Sequence, residues 1–327
     1  MYEKIKKIVE ESRKIIIIQA ENPDGDSLGS TLALEEILGD LGKEVALHCP
    51  IEIPKYLNYI KGWDRISNNF DTSCDLAIIV DTTAEILLSK TLDYPGVRHF
   101  IKTHPVIVID HHDSKSSLGF ECVELVENAV ATGEIIYRLS KKSNWSINTQ
   151  ASENILIAIM SDSLGFITQN VTSDTFEISS DLVKLGASPY LIEGRRHEYM
   201  KKSAEILKYK GELIERIEYY LDGKIALVHI PWEDIQKYSD KYNPSALVLE
   251  EMRFVEGVEI GIAIKTYPDG KLTGKLRSNS PIAGLVAGYF GGGGHEFASG
   301  FRVYESIDTI IPEILSAVDK ALKEISK

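Results

Sequence analysis

Apolar and polar residues follow two different regimes along the chain. In the first half, short unbroken apolar runs alternate with longer stretches whose apolar residues recur three or four positions apart. The runs at 14–19, 44–48, 76–80 and 106–109 predict buried strands. The stretches at 27–41 (ending at Gly42), 132–142, 153–160 and 175–185 (closed by Gly186) predict helices. Strands alternating with helices imply parallel βαβ units. Residues 189–219 are highly charged, carry few Gly or Pro, and predict a connecting helix. From Lys224 the regime changes. Residues 225–230 and 258–267 alternate like strands, 271–277 follows a Pro-Asp-Gly turn, and 281–290 and 307–325 read as helices. The expected fold is α/β: a doubly wound parallel sheet domain over 1–188, a helical linker over 189–220, and a smaller α/β C-terminal domain over 221–327.

The strand ends carry the chemistry. The first strand runs into Asn22-Pro23-Asp24-Gly25-Asp26-Ser27-Leu28-Gly29-Ser30. The third ends in Asp81-Thr82-Thr83, the fourth in Asp110-His111-His112, and the helix at 153–160 in Ser161-Asp162-Ser163. Asp, Gly and Ser also favour helix caps and turns, so Asp24 and Asp26 alone are equally well read as a capped turn. Sites in open α/β sheets form at the carboxyl ends of the strands, which would bring these segments to one crevice. Carboxylates gathered there are tolerable only if a cation neutralises them or their pKa values rise. Asp and His ligands without Cys suit Mn²⁺ or Mg²⁺. Ligands suffice for two ions sharing a carboxylate, an arrangement that activates water and stabilises in-line displacement at phosphorus. The residues therefore point to a metal-dependent phosphoesterase.

Composition narrows the substrate. A formal net charge of −13 disfavours long duplex DNA and leaves short substrates with a few phosphates. Cys49, Cys74 and Cys122 are odd in number and widely spaced, against a disulfide framework or a Cys-based zinc site. No run of 18 apolar residues exists, so no membrane span is expected. Residues 1–14 look like a charged amphipathic helix without a signal-peptide core, and a cytoplasmic location is expected. His48, His99, His104, His197 and His229 are dispersed and read as surface or packed residues, and Arg195-Arg196-His197 as a solvated helix face. Phe166 and Phe297 adjoin motif residues and read as core packing ahead of base stacking.

The motif order Asn-Pro-Asp-x-Asp, Asp-Thr-Thr, Asp-His-His, Ser-Asp-Ser resembles that of the DHH phosphoesterase superfamily. Lys275-Leu276-Arg277-Ser278-Asn279 and the Gly291–Gly294 run before His295 resemble its DHH-associated C-terminal domain. The whole is similar to the nanoRNase class, oligoribonucleases that often also dephosphorylate 3′-phosphoadenosine 5′-phosphate. The resemblance implies two Mn²⁺ sites, with Mg²⁺ as the alternative ion. Asp24 and Asp81 would hold the first ion; Asp26, Asp81, His111 and Asp162 would hold the second, with Asp81 bridging. Asp110 would orient His111, and His112 would lie close to the substrate phosphate. Arg277, Ser278, Gly292, Gly293, Gly294 and His295 would bind substrate phosphates in an interdomain cleft. The implied partner is short single-stranded RNA or a nucleotide, and a homodimer is one candidate assembly.

One position departs from the family. Its first motif opens with a histidine four residues before the first Asp, and Ala20 stands there. The first ion then loses a ligand unless Gln19, Glu21 or Asn22 supplies an oxygen. An altered natural site, a non-catalytic relative and a residue replaced by an experimenter are the competing explanations. A cyclic-dinucleotide phosphodiesterase and a nucleotide-binding pseudoenzyme are the alternative functions.

Overall fold

A computed structural model describes residues 1–112 and 115–325 and divides into two compact units, 1–201 and 202 onward. In chain order the first unit runs α1 (Tyr2–Glu11), β1 (Lys14–Ile18), α2 (Gly25–Asp40), β2 (Glu44–His48), β3 (Leu76–Val80), α3 (Ser89–Leu92), α4 (Val97–Thr103), β4 (Val106–Asp110), β5 (Val123–Val126), α5 (Thr132–Ser143), α6 (Thr149–Asp162), α7 (Ser173–Lys184) and α8 (Pro189–Met200). Its five strands are parallel, in the order β2-β1-β3-β4-β5. The unbroken apolar runs are explained by burial on both faces. Ile15, Ile17, Ile78, Ile107 and Ile109 pack with residues of α1, α2, α5 and α6. Ile16, Ile18, Ile79, Val106 and Val108 pack on the opposite face with Leu92, Phe100 and Ile101 of α3 and α4. The sequence pattern missed β5, an edge strand of which only Leu125 is buried.

The connecting helix expected over 189–219 is not one helix. Lys201 takes an extended ψ of 134°, which ends α8. The Ser203 hydroxyl then accepts from Ile206 N and caps a new helix, α9 (Ala204–Glu215). Packing explains the break: Ile192 of α8 is buried in the first unit's core, whereas Ile206, Tyr209 and Leu213 are buried in the second unit's. Tyr219 lies in a strand. The segment is thus divided between the units and is not a free linker.

After α9 the second unit continues β6 (Glu218–Tyr220), β7 (Ile225–Ile230), α10 (Trp232–Tyr238), α11 (Pro244–Arg253), β8 (Ile260–Thr266), β9 (Leu272–Ser278), α12 (Ala283–Tyr289), β10 (Gly293–Gly294), β11 (Ala298–Val303) and α13 (Ile307–Ile325). The sheet order is β10-β11-β9-β8-β7-β6; only β7 and β8 are parallel. Residues of α12 and α13 pack on one face, and residues of α9, α10 and α11 on the other. The sequence reading missed α10, α11 and β11. The last contains a glycine and two small residues, and it is a strand because it pairs with β9 along its whole length. Among the described residues no helix is long and apolar enough to cross a membrane.

Candidate metal centre

The strand order reverses between β1 and β3, which opens a crevice at their carboxyl ends. Ile18 pairs with Ile79, and Ile79 with Val108, so Ala20, Asp81 and Asp110 stand level two residues further on. Asp81 N donates to Ile109 O at 2.8 Å, and the residue adopts φ 63°. A left-handed conformation at a non-glycine residue costs on the order of 1–3 kcal/mol and marks a position held by its surroundings. Here Thr132 Oγ1 donates to Asp81 Oδ1 at 3.0 Å.

Both aspartates of the first loop have structural duties. Asp24 is the N-cap of α2: its Oδ1 accepts from Asp26 N and Ser27 N, each at 3.0 Å. The capped-turn reading is therefore correct for Asp24, and one of its oxygens is committed. Asp26 is wholly buried, with Oδ1 accepting from Ser30 Oγ at 2.9 Å and Gly133 N at 3.2 Å, and Oδ2 from Thr132 N at 2.6 Å. Ala131 makes no side-chain cap for α5, so Asp26 satisfies that helix start across space. Two glycines let α2 approach α6 closely enough for this. A Cβ on Gly29 would lie 2.7 Å from Asn154 O, and one on Gly25 2.6 Å from Ser161 Cβ. Ser30, Thr132 and Gly133 were missed from sequence, although Thr132 and Gly133 open a helix that the periodicity located.

His111 is the centre of the arrangement. Its Nδ1 donates to Ala129 O at 3.2 Å, which leaves the Nε2 lone pair of the neutral ring facing inward. Nε2 lies 3.4 Å from Asp162 Oδ2, 3.6 Å from Asp26 Oδ2 and 3.6 Å from Asp81 Oδ1. It is buried and hydrogen-bonded to none of them. A lone pair facing three carboxylates is consistent only with a proton or a cation between them. His112 Nδ1 donates to Asp110 Oδ1 at 2.7 Å and lies 3.8 Å from Asp81 Oδ1. Asp110 therefore orients His112, not His111 as the resemblance implied. The reason is strand alternation: residues 110 and 112 share one side, and 111 takes the other. Two overlapping groups result, Asp26–His111–Asp162 and Asp81–His111–His112, each with its donor atoms within 4.8 Å of one another. Oxygen and imidazole donors, no thiolate and an unbonded buried nitrogen fit a divalent cation of the Mn²⁺ type.

The protonation states agree. Burial, then the neighbouring carboxylates, raises Asp26 and Asp81 far above the ordinary carboxylate range, and burial with Asp162 raises Asp24. Burial alone would lower His111, but Asp162 and Asp26 carry it from 6.5 to about 9. Burial would raise Asp110, yet its contacts with His112 hold it below the ordinary value. With carboxylates and a histidine raised in the folded state, the metal-free fold binds more protons than the unfolded chain. The carboxylate part of that stabilisation is lost as pH rises above the ordinary carboxylate range. The His111 part is full below 6.5 and lost as pH rises through about 9. We expect the melting temperature in chelator to fall across this interval. The gain on adding Mn²⁺ should grow with pH, because the cation displaces those protons. Thermal melts at several pH values, with and without Mn²⁺, check this; a pH-independent gain would contradict it.

Residues 14–161 match the DHH family, N-terminal domain. The matched segment takes in Asp24, Asp26, Asp81, Asp110, His111 and His112, and through it the chain resembles the DHH family. It is 23% identical over 305 residues to the bifunctional oligoribonuclease and PAP phosphatase NrnA of Bacillus subtilis, covering 92% of this chain and 93% of that protein. Among solved structures it resembles an exopolyphosphatase-related protein from Bacteroides fragilis, with a TM-score of 0.83 and 23% identity over 99% of this chain and 95% of that one. It also resembles RecJ in complex with Mn²⁺ from Thermus thermophilus, with a TM-score of 0.55 and 14% identity over 98% of this chain and 55% of that one.

Within the DHH domain, Ala20 is buried, and its carbonyl accepts from Cys49 Sγ at 3.6 Å. Of the proposed replacements, Glu21 is engaged elsewhere, its Oε1 accepting from Ser89 Oγ and Lys90 N, both at 2.6 Å. Gln19 is fully buried, and both its amide atoms lack a hydrogen-bond partner among the described residues. Arg195 is no solvated residue: Nη2 donates to the buried Glu153 at 2.6 Å and Nε to Tyr59 O at 3.2 Å. His48 is buried, hydrogen-bonded to Asn69 O and Thr91 Oγ1.

In the second unit, Arg277 and Ser278 end β9. Ser278 is buried and donates to Glu296 O at 3.3 Å. A Cβ on Gly292 would strike Phe301 Cβ at 2.7 Å, and one on Gly294 would lie 2.6 Å from Ala298 O. These two glycines admit β11, whereas Gly293 is exposed with open space beside it. Phe297, expected in the core, is 46% exposed. Phe166 stacks on Phe176 with ring centroids 5.4 Å apart.

Proposed function

We propose that the protein is a divalent-metal-dependent phosphoesterase that hydrolyses short oligoribonucleotides and removes a phosphate from 3′-phosphoadenosine 5′-phosphate. The observation that carries the reading is the buried, unbonded His111 Nε2 facing carboxylates from α2, α6 and the end of β3. The named activity of the Bacillus subtilis relative supports the substrate class. Asp26, His111 and Asp162 would hold one ion, and Asp81 would bridge to a second at Asp24. When bound, such ions supply an activated water and neutralise charge at phosphorus.

The chain's own residues do the rest. Thr132 and Gly133 amides fix Asp26, and Thr132 Oγ1 fixes Asp81, so the ligand oxygens are held before substrate arrives. His112 is half-exposed, and its Nδ1 is committed to Asp110, which raises its pKa. Its Nε2–H is then the donor left for substrate: as water adds to phosphorus and the ester P–O bond breaks, the leaving oxygen takes that proton. Arg277 offers a planar, permanently charged fork for a phosphate.

A substrate panel with added Mn²⁺ tests the reading. It should contain a diribonucleotide, 3′-phosphoadenosine 5′-phosphate, a cyclic dinucleotide and pyrophosphate. Turnover of the first two above the others is expected. Preference for the cyclic dinucleotide would replace the assignment, and binding without turnover of any would make the protein a nucleotide-binding pseudoenzyme. Arg277→Ala should raise KM for the diribonucleotide by about 10-fold or more, as expected when a charge-assisted phosphate contact is lost, with an unchanged melting temperature. Unchanged KM with lowered stability would make Arg277 structural.

A further inference from the structure

His111 lacks the carboxylate that often orients a ligating histidine from behind. Asp110 serves His112, and His111 Nδ1 donates instead to Ala129 O at 3.2 Å. The orientation of the ring therefore depends on what fixes one backbone carbonyl. Ala129 lies in the loop between β5 and α5, outside any strand or helix. Its carbonyl shares a peptide unit with the amide of Val130, and that amide donates to Glu134 Oε2 at 3.3 Å. No described peptide bond is cis. In a trans unit the N–H and the C=O point in opposite directions within one plane. Holding Val130 N–H on Glu134 thus aims Ala129 O at His111. One peptide is gripped from both sides, by a carboxylate at its amide and by the imidazole at its carbonyl.

Glu134 is a costly residue to place there. It is 1% exposed, and a buried carboxylate opposes folding unless it is paired. Arg138, one turn later on α5, supplies the opposite charge, with Nη2 donating to Glu134 Oε2 at 3.2 Å. The same guanidinium donates through Nη1 to Asn128 O at 3.3 Å and through Nη2 to Asp174 of α7 at 2.5 Å. Asn128 O belongs to the preceding peptide unit, so Glu134 and Arg138 together hold two consecutive peptides. An ordinary helix cap explains less of this. A Glu at the third helical position usually reaches back to the N-cap amide. Ala131 is the N-cap of α5, and Glu134 passes it to take Val130 N, the amide joined to the carbonyl that His111 uses. The amides of Thr132 and Gly133 carry Asp26. Residues 128–133 thus anchor both His111 and Asp26, and Glu134 with Arg138 anchors that stretch.

We propose that Glu134 is a positioning residue of the metal centre: it acts on His111 through the 129–130 peptide and is itself held by Arg138. The proposal rests on the metal-dependent reading of the site, and Mn²⁺ binding tests it without catalysis. Calorimetric titration of Glu134→Met should show Mn²⁺ affinity lowered by about 10–100-fold, the range for groups that orient a ligand. Glu134→Gln keeps an oxygen to accept from Val130 N, and Arg138 keeps Asp174, so this variant should recover most of that loss. Glu134→Asp keeps the charge beside Arg138 but withdraws the acceptor. It should lower affinity in the same direction, and it carries the test if Glu134→Met does not fold. In His111→Ala the link has lost its end point, so adding Glu134→Met should leave the residual Mn²⁺ affinity unchanged. Native affinity in the variant that folds, with only a lower melting temperature in chelator, makes Glu134 a helix cap and overturns the proposal. Equal loss in the Gln and Met variants overturns the hydrogen bond as the device. An undiminished effect in the His111→Ala background overturns the route through His111. No Mn²⁺ binding by the native protein overturns the metal-centre reading, and this link with it.

Discussion

Replacing His111 with alanine is expected to lower Mn²⁺ affinity by more than ~100-fold and to lower turnover of a diribonucleotide at least as far. Loss of groups that merely orient a ligand costs about 10–100-fold, and His111 is the one donor common to both ligand groups. The metal-free fold should survive, because among the described residues the side chain's only hydrogen bond is to the Ala129 carbonyl. Calorimetric titration with Mn²⁺ and a melt in chelator separate the two effects. Native Mn²⁺ affinity in this variant would place the metal centre elsewhere. Loss of both binding and fold would make His111 a structural residue.

Ala20→His is expected to raise turnover by about 10-fold or more at saturating Mn²⁺, and to add a bound ion per chain in the titration. Ala20 stands level with Asp81 across the β1–β3 pairing, so a ring there reaches the same end of the sheet. Asp24 alone is a weak anchor, since its Oδ1 already serves two backbone amides. The position is buried, and a larger side chain should cost about 1–3 kcal/mol in metal-free stability. A lower melting point in chelator that recovers with Mn²⁺ is the accompanying signature. Equal turnover of the two proteins would mean that the first ion site is complete without a side chain at position 20. Gln19, buried and without a hydrogen-bond partner for its side-chain amide among the described residues, is then the next residue to replace.

Much of this site could be read without a structure, for a physical reason. Strands buried on both faces leave continuous apolar runs, and charged residues immediately after such runs must lie at the sheet's end. Asp81, Asp110, His111 and His112 were located by that logic alone, and the Asn-Pro-Asp-x-Asp loop by its order in the same series. What the sequence could not express is which donor meets which acceptor. Asp110 serves His112 because of strand alternation at a boundary one residue beyond the predicted one. Asp26 doubles as the cap of α5, 107 residues from Gly133, a relation with no local signature. The break at 201–203 depends on which of two cores claims each side of the helix, and helical periodicity is the same on both sides. The sequence by itself determined the periodicity, the two α/β units and the residue types at the strand ends. Tertiary structure decided the pairing of those residues, because hydrogen bonds and ion contacts depend on distances that only the packed chain sets.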